Sequence, residues 1–536
     1  MFKSRWILSA ISVLVLVLCV PGVTAGTEAV PESMQLSVSG KIADDKNVPL
    51  KAAIVRAEDV DSGIARIALT DAGGTFWLPL LKSGDYEVSA EKKGYGTASK
   101  RLRVDSSQKA INFTLKSLAI VPVSQLSSSD IIAQLPEGPG NIKMTTVGRC
   151  GSCHGLNKLL APRSKSYWDY TMKRMQTILR YVEPSQNDTA APRVLDYLAT
   201  HLGSNSNLPN ELGEKVKQSY REEIPWGHDV VFTEFEIPTP VAMAHTAVPD
   251  KRGNVWFTEN KARKIGRLEI ATGKIKEYPT HTPNANPHGI TVAPDGTVWF
   301  TGNYSMIGRI DPKTDQVEEI LVPRGPNGEE MGSHTIIVAR SGKIWFTEHR
   351  KGSISSYDPE TRQFKRYALE PGTTPYGMLE HGDDIFWFAL DSGSKVGFLN
   401  AKTGEIKTFP TPTKNSVPFR FRFDAKGRMW FGEYGAGKLG MFDPSTEQFA
   451  EYEMPFRGSP YSVHVDGKGY VWMGSFDRDS LIRFNPDTKE MVEYPLPGSS
   501  AIVRDMWPDQ EGRIWFVEWA RNKVTSAELV SRPSQD

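Results

Sequence analysis

Cysteine is nearly absent from this chain of 536 residues: there are three, Cys19, Cys150 and Cys153. So few thiols exclude a disulfide-stapled scaffold. An excess of one charge sign is missing as well. Lys plus Arg number 64 against 63 Asp plus Glu, which leaves +1 and no strongly basic domain of the kind that marks nucleic-acid binding. Beyond residue 20 no apolar run is long enough to cross a bilayer. A strand-bounded G-x-G-x-x-G and a serine nucleophile elbow are both lacking, which removes a dinucleotide cofactor and α/β-hydrolase chemistry. Turn formers and tryptophan are plentiful instead, with 46 Gly, 36 Pro and 13 Trp. That balance points to a mainly β repeat protein.

The N-terminus reads as an export signal. Lys3 and Arg5 precede an apolar run, Trp6–Val20, which ends at Pro21-Gly22; Val23 and Ala25 then supply small residues at −3 and −1. Cleavage after Ala25 is expected, so residues 1–25 form a signal peptide and the mature protein is periplasmic or secreted, with no membrane span. The run is shorter than the ~20 residues of a spanning anchor. Cys19 follows Leu18, which is not the small residue that a lipidation site has there.

Export leaves Cys150 and Cys153, and both belong to Cys150-Gly151-Ser152-Cys153-His154. C-x-x-C-H is the attachment pattern for haem c: two thiols add to the vinyl groups, and the adjacent imidazole ligates the iron. A thioredoxin-like pair would need a βαβ context, and a zinc site two more ligands. Downstream, Trp168, Met172, Met175, Leu179 and Val182 recur at helical spacing, and Val194, Leu195, Tyr197, Leu198 and Leu202 mark another helix. Residues 139–205 thus resemble a small cytochrome c domain carrying one covalent haem c. The resemblance implies His154 as the proximal ligand and a Met as the distal one. Met175 is the first choice through its spacing from Trp168, with Met172, His201 or a vacant position as alternatives.

Residues 35–117 alternate apolar and polar positions in short runs broken by Gly and Asp turns, the pattern of a small antiparallel sandwich. The order G-x-I, P-L, T-D-x-G-G-x-F, L-x-x-G-x-Y and G-Y resembles the carboxypeptidase regulatory-like domain. The resemblance implies a structural or docking module without catalytic residues.

The remainder repeats. A W-F-like pair recurs at Trp256, Trp299, Trp345, Trp387, Trp430, Trp472 and Trp515, at intervals of 42 to 46 residues. Seven four-stranded units of that period imply a seven-bladed β-propeller over residues 229–530. A spare strand at Val231–Pro238 is expected to complete the last blade. The full architecture is then mainly β: an N-terminal sandwich, a small α-helical haem domain and a propeller. Asn286–Thr301 (N-P-H-G-I-T-V-A-P-D-G-T-V-W-F-T), Trp256–Leu268 and Thr374–Met378 resemble the virginiamycin B lyase family. That resemblance implies an elimination that opens a cyclic ester, with a metal, usually magnesium, and His residues at the channel mouth.

Aligned on the repeat, the residue eleven before each Trp is His245, His288, His334, Tyr376, Phe419, Tyr461 and Arg504. These seven are expected to ring one solvated end of the channel, approached by Glu259, Glu348, Glu433 and Glu518 three residues after Trp, with His349 beyond Glu348. His288, His334 and Tyr376 match the family's His–His–Tyr order, whereas its Glu falls on Gly332, or on Asn286 in another register. The ring is therefore read as a catalytic or binding site: His288 and His334 first, then His245 and Tyr376, with Arg504 oriented to a carboxylate or phosphate. A divalent metal, magnesium or a transition metal, would be held by His288, His334 and Glu348. Two functions follow from these expectations. One is a periplasmic redox enzyme or electron-transfer protein, in which the propeller binds a small-molecule substrate and haem c passes electrons to a partner. The other is a lyase, a lactonase or a non-catalytic binding propeller.

Overall fold

In this computed structural model the described residues are 36–105, 109–151, 155–179, 190–219, 225–283, 285–454 and 458–531. The signal segment, residues 1–25, lies outside them. Among the described residues no helix is long and apolar enough to cross a membrane.

Six four-stranded antiparallel sheets follow one another from Ala244 to Pro495, each running outward from its innermost strand in chain order, and three strands of a seventh blade follow from Val503 to Leu529. The repeat has a physical basis in two recurrent contacts. Four of the tryptophans, Trp256, Trp430, Trp472 and Trp515, are at most 1% exposed. Their indole N–H groups donate to Asp250, Asp424, Asp466 and Asp509, six residues earlier, at 2.7–3.0 Å. The Phe beside the Trp packs flat on a glycine of the third strand. A Cβ added to Gly266 would lie 2.0 Å from the Phe257 ring, which explains the recurrent I-G-R. Buried aromatics and aliphatics then interdigitate between neighbouring blades, as Trp256, Ile265, Val298 and Phe300 do.

The strand Val230–Glu236 pairs antiparallel with Lys523–Leu529, so the chain's first propeller strand closes its last blade. That strand does not remain an edge. Its other side pairs with Ala65–Leu69 of the sandwich, with Ala65 opposite Glu234 and Ala68 opposite Val231. One continuous eight-stranded sheet therefore runs from Val503–Pro508 to Ala98–Val104. The sandwich, built around Val38, Ile42, Val55, Phe76 and Val88, is joined to the propeller by backbone hydrogen bonds rather than tethered to it. This pairing also caps an edge that would otherwise be open.

The intervening segment is helical and longer than residues 139–205. Helices α1 (Ser128–Gln134), α2 (Ile142–Gly151), α3 (Lys165–Leu179), α4 (Ala190–His201) and α5 (Leu208–Ser219) contribute to a single core, which includes Ile131, Ile142, Trp168, Val194, Leu198 and Leu212. Ser127 and Asp130 form a capping box that starts α1. The helical unit sits on the propeller. Ser129 N–H donates to the Asp477 carbonyl at 2.7 Å, and Asn157 donates to Ser499 Oγ at 2.8 Å. Gly155 lies so close to Ser500 that a Cβ there would be 1.7 Å from its Oγ.

Candidate functional site

The ring at the mouth is built by a defect repeated in every blade. Between the innermost strand and its neighbour the register slips at Ala244/Ala247, Pro287/Ile290, Ser333/Ile336, Pro375/Met378, Pro418/Phe421, Pro460/Ser462 and Val503/Met506. A bulge of this type re-aims the residues it contains. Here it turns His245, His288, His334, Tyr376, Phe419, Tyr461 and Arg504 toward the axis.

They form an almost closed circle of rings. Centroids are 3.6 Å apart for His245–His288, 3.9 Å for His288–His334, 4.1 Å for His334–Tyr376, 4.4 Å for Tyr376–Phe419 and 5.0 Å for Phe419–Tyr461. The Arg504 guanidinium lies between Tyr461 (5.6 Å) and Trp519 (4.4 Å), and Trp519 meets His245 edge-on at 5.6 Å. The Tyr376 and Tyr461 hydroxyls hydrogen-bond to each other.

This mouth is not the solvated ring the spacing predicts. His245 is 1% exposed and His288 and His334 are 6% exposed. Burial is the main reason all three imidazoles sit well below their usual pKa. Arg504 and Arg420 push His245 further down, His245 and Arg420 push His288, and His288 and His349 push His334. They are neutral across the physiological range.

The carboxylates are elsewhere. Glu348 accepts from Ser353 at 2.6 Å and from Arg366 at 2.6 and 2.8 Å, within its own blade, and Glu518 accepts from Thr525 and pairs with Arg521. Glu348 as a metal ligand is therefore corrected: its oxygens face the outer strands, not the axis. Gly332 explains the missing family Glu. Its φ of 77° favours glycine, and the Arg350 side chain fills the space a Cβ would take, at 2.5 Å.

A divalent metal does not fit the residues present. The neighbouring imidazoles pack as tilted rings, with 38° and 39° between their planes. Among the described residues no group of three or more His, Cys, Asp or Glu side chains is placed to hold a metal ion. Magnesium would ask for oxygen ligands, and the mouth presents imidazoles, phenols and guanidinium groups.

The structure adds Arg420, which the repeat did not single out, and places His349, which it did. Arg420, one position past Phe419, enters the bore because the bulge turns both residues inward, and it donates to Thr335 Oγ1 at 2.9 Å. His349, 31% exposed, pairs with Asp391 at 3.1 Å and lies 5.1 Å from the His334 ring and 5.3 Å from Tyr376. This pair is the site's wetter edge. Asp391 also accepts from Thr374, which fixes its orientation.

Glu259 and Glu433, the other acidic pair from the repeat, are fully buried, and no oxygen of either has a hydrogen-bond partner. Burial, reinforced by Glu277 and Glu451 respectively, pushes each carboxyl up to about 8. The native state then retains a proton that the unfolded chain releases above its ordinary value near 4.5. Stability is lost as pH rises through that window, and the loss levels off above 8. Glu259→Gln and Glu433→Gln should each gain on the wild type from pH 5 to pH 9, by on the order of a few kcal/mol. Thermal unfolding across that range checks this; a constant offset contradicts it.

Of the residues expected to attach or ligate a haem, Cys150 is half-buried at the end of α2 and packs against the helical core, as does Met172. Cys153 and His154 lie outside the described residues, as does the side chain of Met175 in α3. Beside Gly151 a cavity of about 440 Å³ opens between the helices and the propeller. Ile132, Val147 and Leu156 wall one side, Tyr434, Met454 and Phe476 the other. Phe476 lies 5.7 Å from Tyr461 and 4.6 Å from the Arg504 guanidinium, so this cavity borders the mouth ring.

Comparison with known proteins matches this architecture. Residues 226–310 and 303–532 match the virginiamycin B lyase family, and residues 37–116 the carboxypeptidase regulatory-like domain. A virginiamycin B lyase of Nocardia farcinica is 28% identical over 218 residues, which is 40% of this chain and 71% of that one. The crystal structure of the Staphylococcus aureus virginiamycin B lyase covers 56% of this chain and all of its own, at 26% identity and a TM-score of 0.52. A catalytically inactive variant of the S. aureus enzyme with quinupristin matches at 25% identity over the same shares, with a TM-score of 0.50. With more than half its length matching the family's propeller, this chain belongs to the virginiamycin B lyase family.

Proposed function

We propose that this chain is an exported haem c protein of the family, a redox enzyme whose propeller ring binds a small molecule beside the haem-bearing helical domain. The observation that carries the reading is the cavity lined by Gly151 of the motif on one side and, on the other, by Phe476, which packs against the ring residue Tyr461. Its volume is that of a cofactor pocket, and its helical wall is apolar. Cys150 and Cys153 would hold haem c, His154 would be the proximal ligand, and Met175 the distal one. When bound, the haem supplies a one-electron acceptor next to the mouth.

The chain's own residues do the rest. The close-packed imidazoles and phenols exclude bulk water from the axis. Arg504, wedged between Tyr461 and Trp519, orients a negatively polarised group. Asp391 holds His349 at Nε2, which leaves Nδ1 as the atom to exchange a proton with a bound molecule. Export places the protein in the periplasm or outside the cell, where an electron-transfer partner would take the electrons onward.

The expected result, for protein exported with the cytochrome maturation machinery, is one covalent haem per chain and reduction of that haem by a small-molecule fraction from the same compartment. Full haem occupancy without reduction by any fraction would contradict the enzyme reading. The rival reading, elimination across a cyclic ester or lactone, is favoured by the His349–Asp391 pair beside Tyr376. It predicts opening of a streptogramin B ring by the apoprotein. All three ring histidines are buried, so in that reading His349 and Asp391 would meet the ester.

A further inference from the structure

We infer that the bore just beneath the ring holds one small monovalent anion, of halide or formate size, clasped by Arg420. This deepens the reading of the ring as a ligand site and does not depend on haem. Arg420 is 4% exposed. One of its nitrogens donates to Thr335, but Nε and Nη2 are buried without an acceptor. The carboxylate facing it, Asp505, is shared: Arg422 approaches it at 3.2 Å and Arg420 at 3.6 Å. Two guanidinium groups on one carboxylate leave a positive charge uncompensated in a dry site, an arrangement that costs several kcal/mol unless a counter-charge is present.

The surrounding polar atoms fit an anion. The lining includes the hydroxyls of Thr246 and Thr335, each able to donate one hydrogen bond. A cation would meet the guanidinium groups at close range. The space open to the centre of a water-sized sphere is about 10 Å³, lined by Thr246, Gly289, Thr335, Gly377, Arg420 and Asp505. That is room for one water or one ion of comparable size. A water there would satisfy hydrogen bonds but not the charge.

The test uses the full-length chain at constant ionic strength in chloride, formate or gluconate, the last being too large for the bore. Chloride or formate should raise the thermal midpoint in a saturable way, by roughly 3 °C or more over gluconate, and Arg420→Gln should lose that rise. Response to chloride alone assigns a halide; response to both assigns the shared site. Crystals in bromide should show an anomalous peak beside Arg420, and this measurement decides if the variant does not fold. Equal midpoints in all three salts with no bromide peak would overturn the anion and leave water. Anion binding without any bound haem would sustain this inference while the haem reading fails.

Discussion

Cys150→Ala combined with Cys153→Ala yields an exported protein with no covalently bound haem and an intact propeller. Both thioether bonds are gone in this variant, so a chromophore extracted by acid–acetone falls to background, against one haem per chain for the wild type. The propeller survives because its blades are held by their own inter-strand ladders and aromatic packing, none of which involves α2. The helical unit should lose stability as well, since Cys150 packs against its core and a bound cofactor stabilises the fold it occupies. Haem absorbance and far-ultraviolet circular dichroism on the same preparations measure both halves. Haem retained by the double variant would refute attachment at this motif.

Glu234→Ala should destabilise the protein by about 3–5 kcal/mol, the usual cost of stripping one partner from a buried ionic cluster. Glu234 is 1% exposed and stands where the sandwich strand Ala65–Leu69 meets the closing strand of the propeller. It pairs with Arg56 of the sandwich and, at 3.1 and 3.2 Å, with Arg521 and Lys523 of the last blade. Burial alone would raise its carboxyl, but Arg521, Arg56 and Lys523 outweigh burial and hold it down to about 2. The stability this supplies is complete above the unfolded value near 4.5 and is lost as pH falls toward 2. Wild-type protein should therefore show an acid limb between pH 4.5 and 2, and Glu234→Gln should flatten it. Denaturant unfolding measures the first effect and acid titration the second. An unchanged midpoint would mean that the junction contributes nothing to holding the two domains together.

The repeat was legible because its signals are local. A Trp near the start of the second strand, a Phe beside it and a glycine beneath that Phe obey strand periodicity, so the period and the ring position eleven residues before Trp follow from spacing. The bulge was not legible, because it is a register slip between two strands rather than a property of either one. Arg420 was missed for that reason, although it is adjacent to the ring residue Phe419. Side-chain direction along the second strand was misjudged for Glu348: placing it at the strand's mouth end did not say which way it points, and Arg366 two strands away draws it outward. The docking of the helical unit on the propeller, through contacts such as Ser129–Asp477, joins residues hundreds of positions apart. The pairing of Ala65–Leu69 with Val230–Glu236 is likewise long-range. Alternation within a strand says that it has an edge, not which distant edge it joins.

We propose that a haem-bearing helical domain and the propeller ring form one unit. The haem reduction potential of wild type against Arg504→Gln tests it most directly. Arg504 reaches Phe476 on the wall of the cavity, and a positive charge near a haem favours the reduced form. Removing that charge should lower the potential by tens of millivolts, about what one charge exerts across roughly 10 Å of partly screened protein, while circular dichroism shows the propeller unchanged. A potential identical in both proteins would contradict the claim and leave the cytochrome and the propeller as independent modules on one chain.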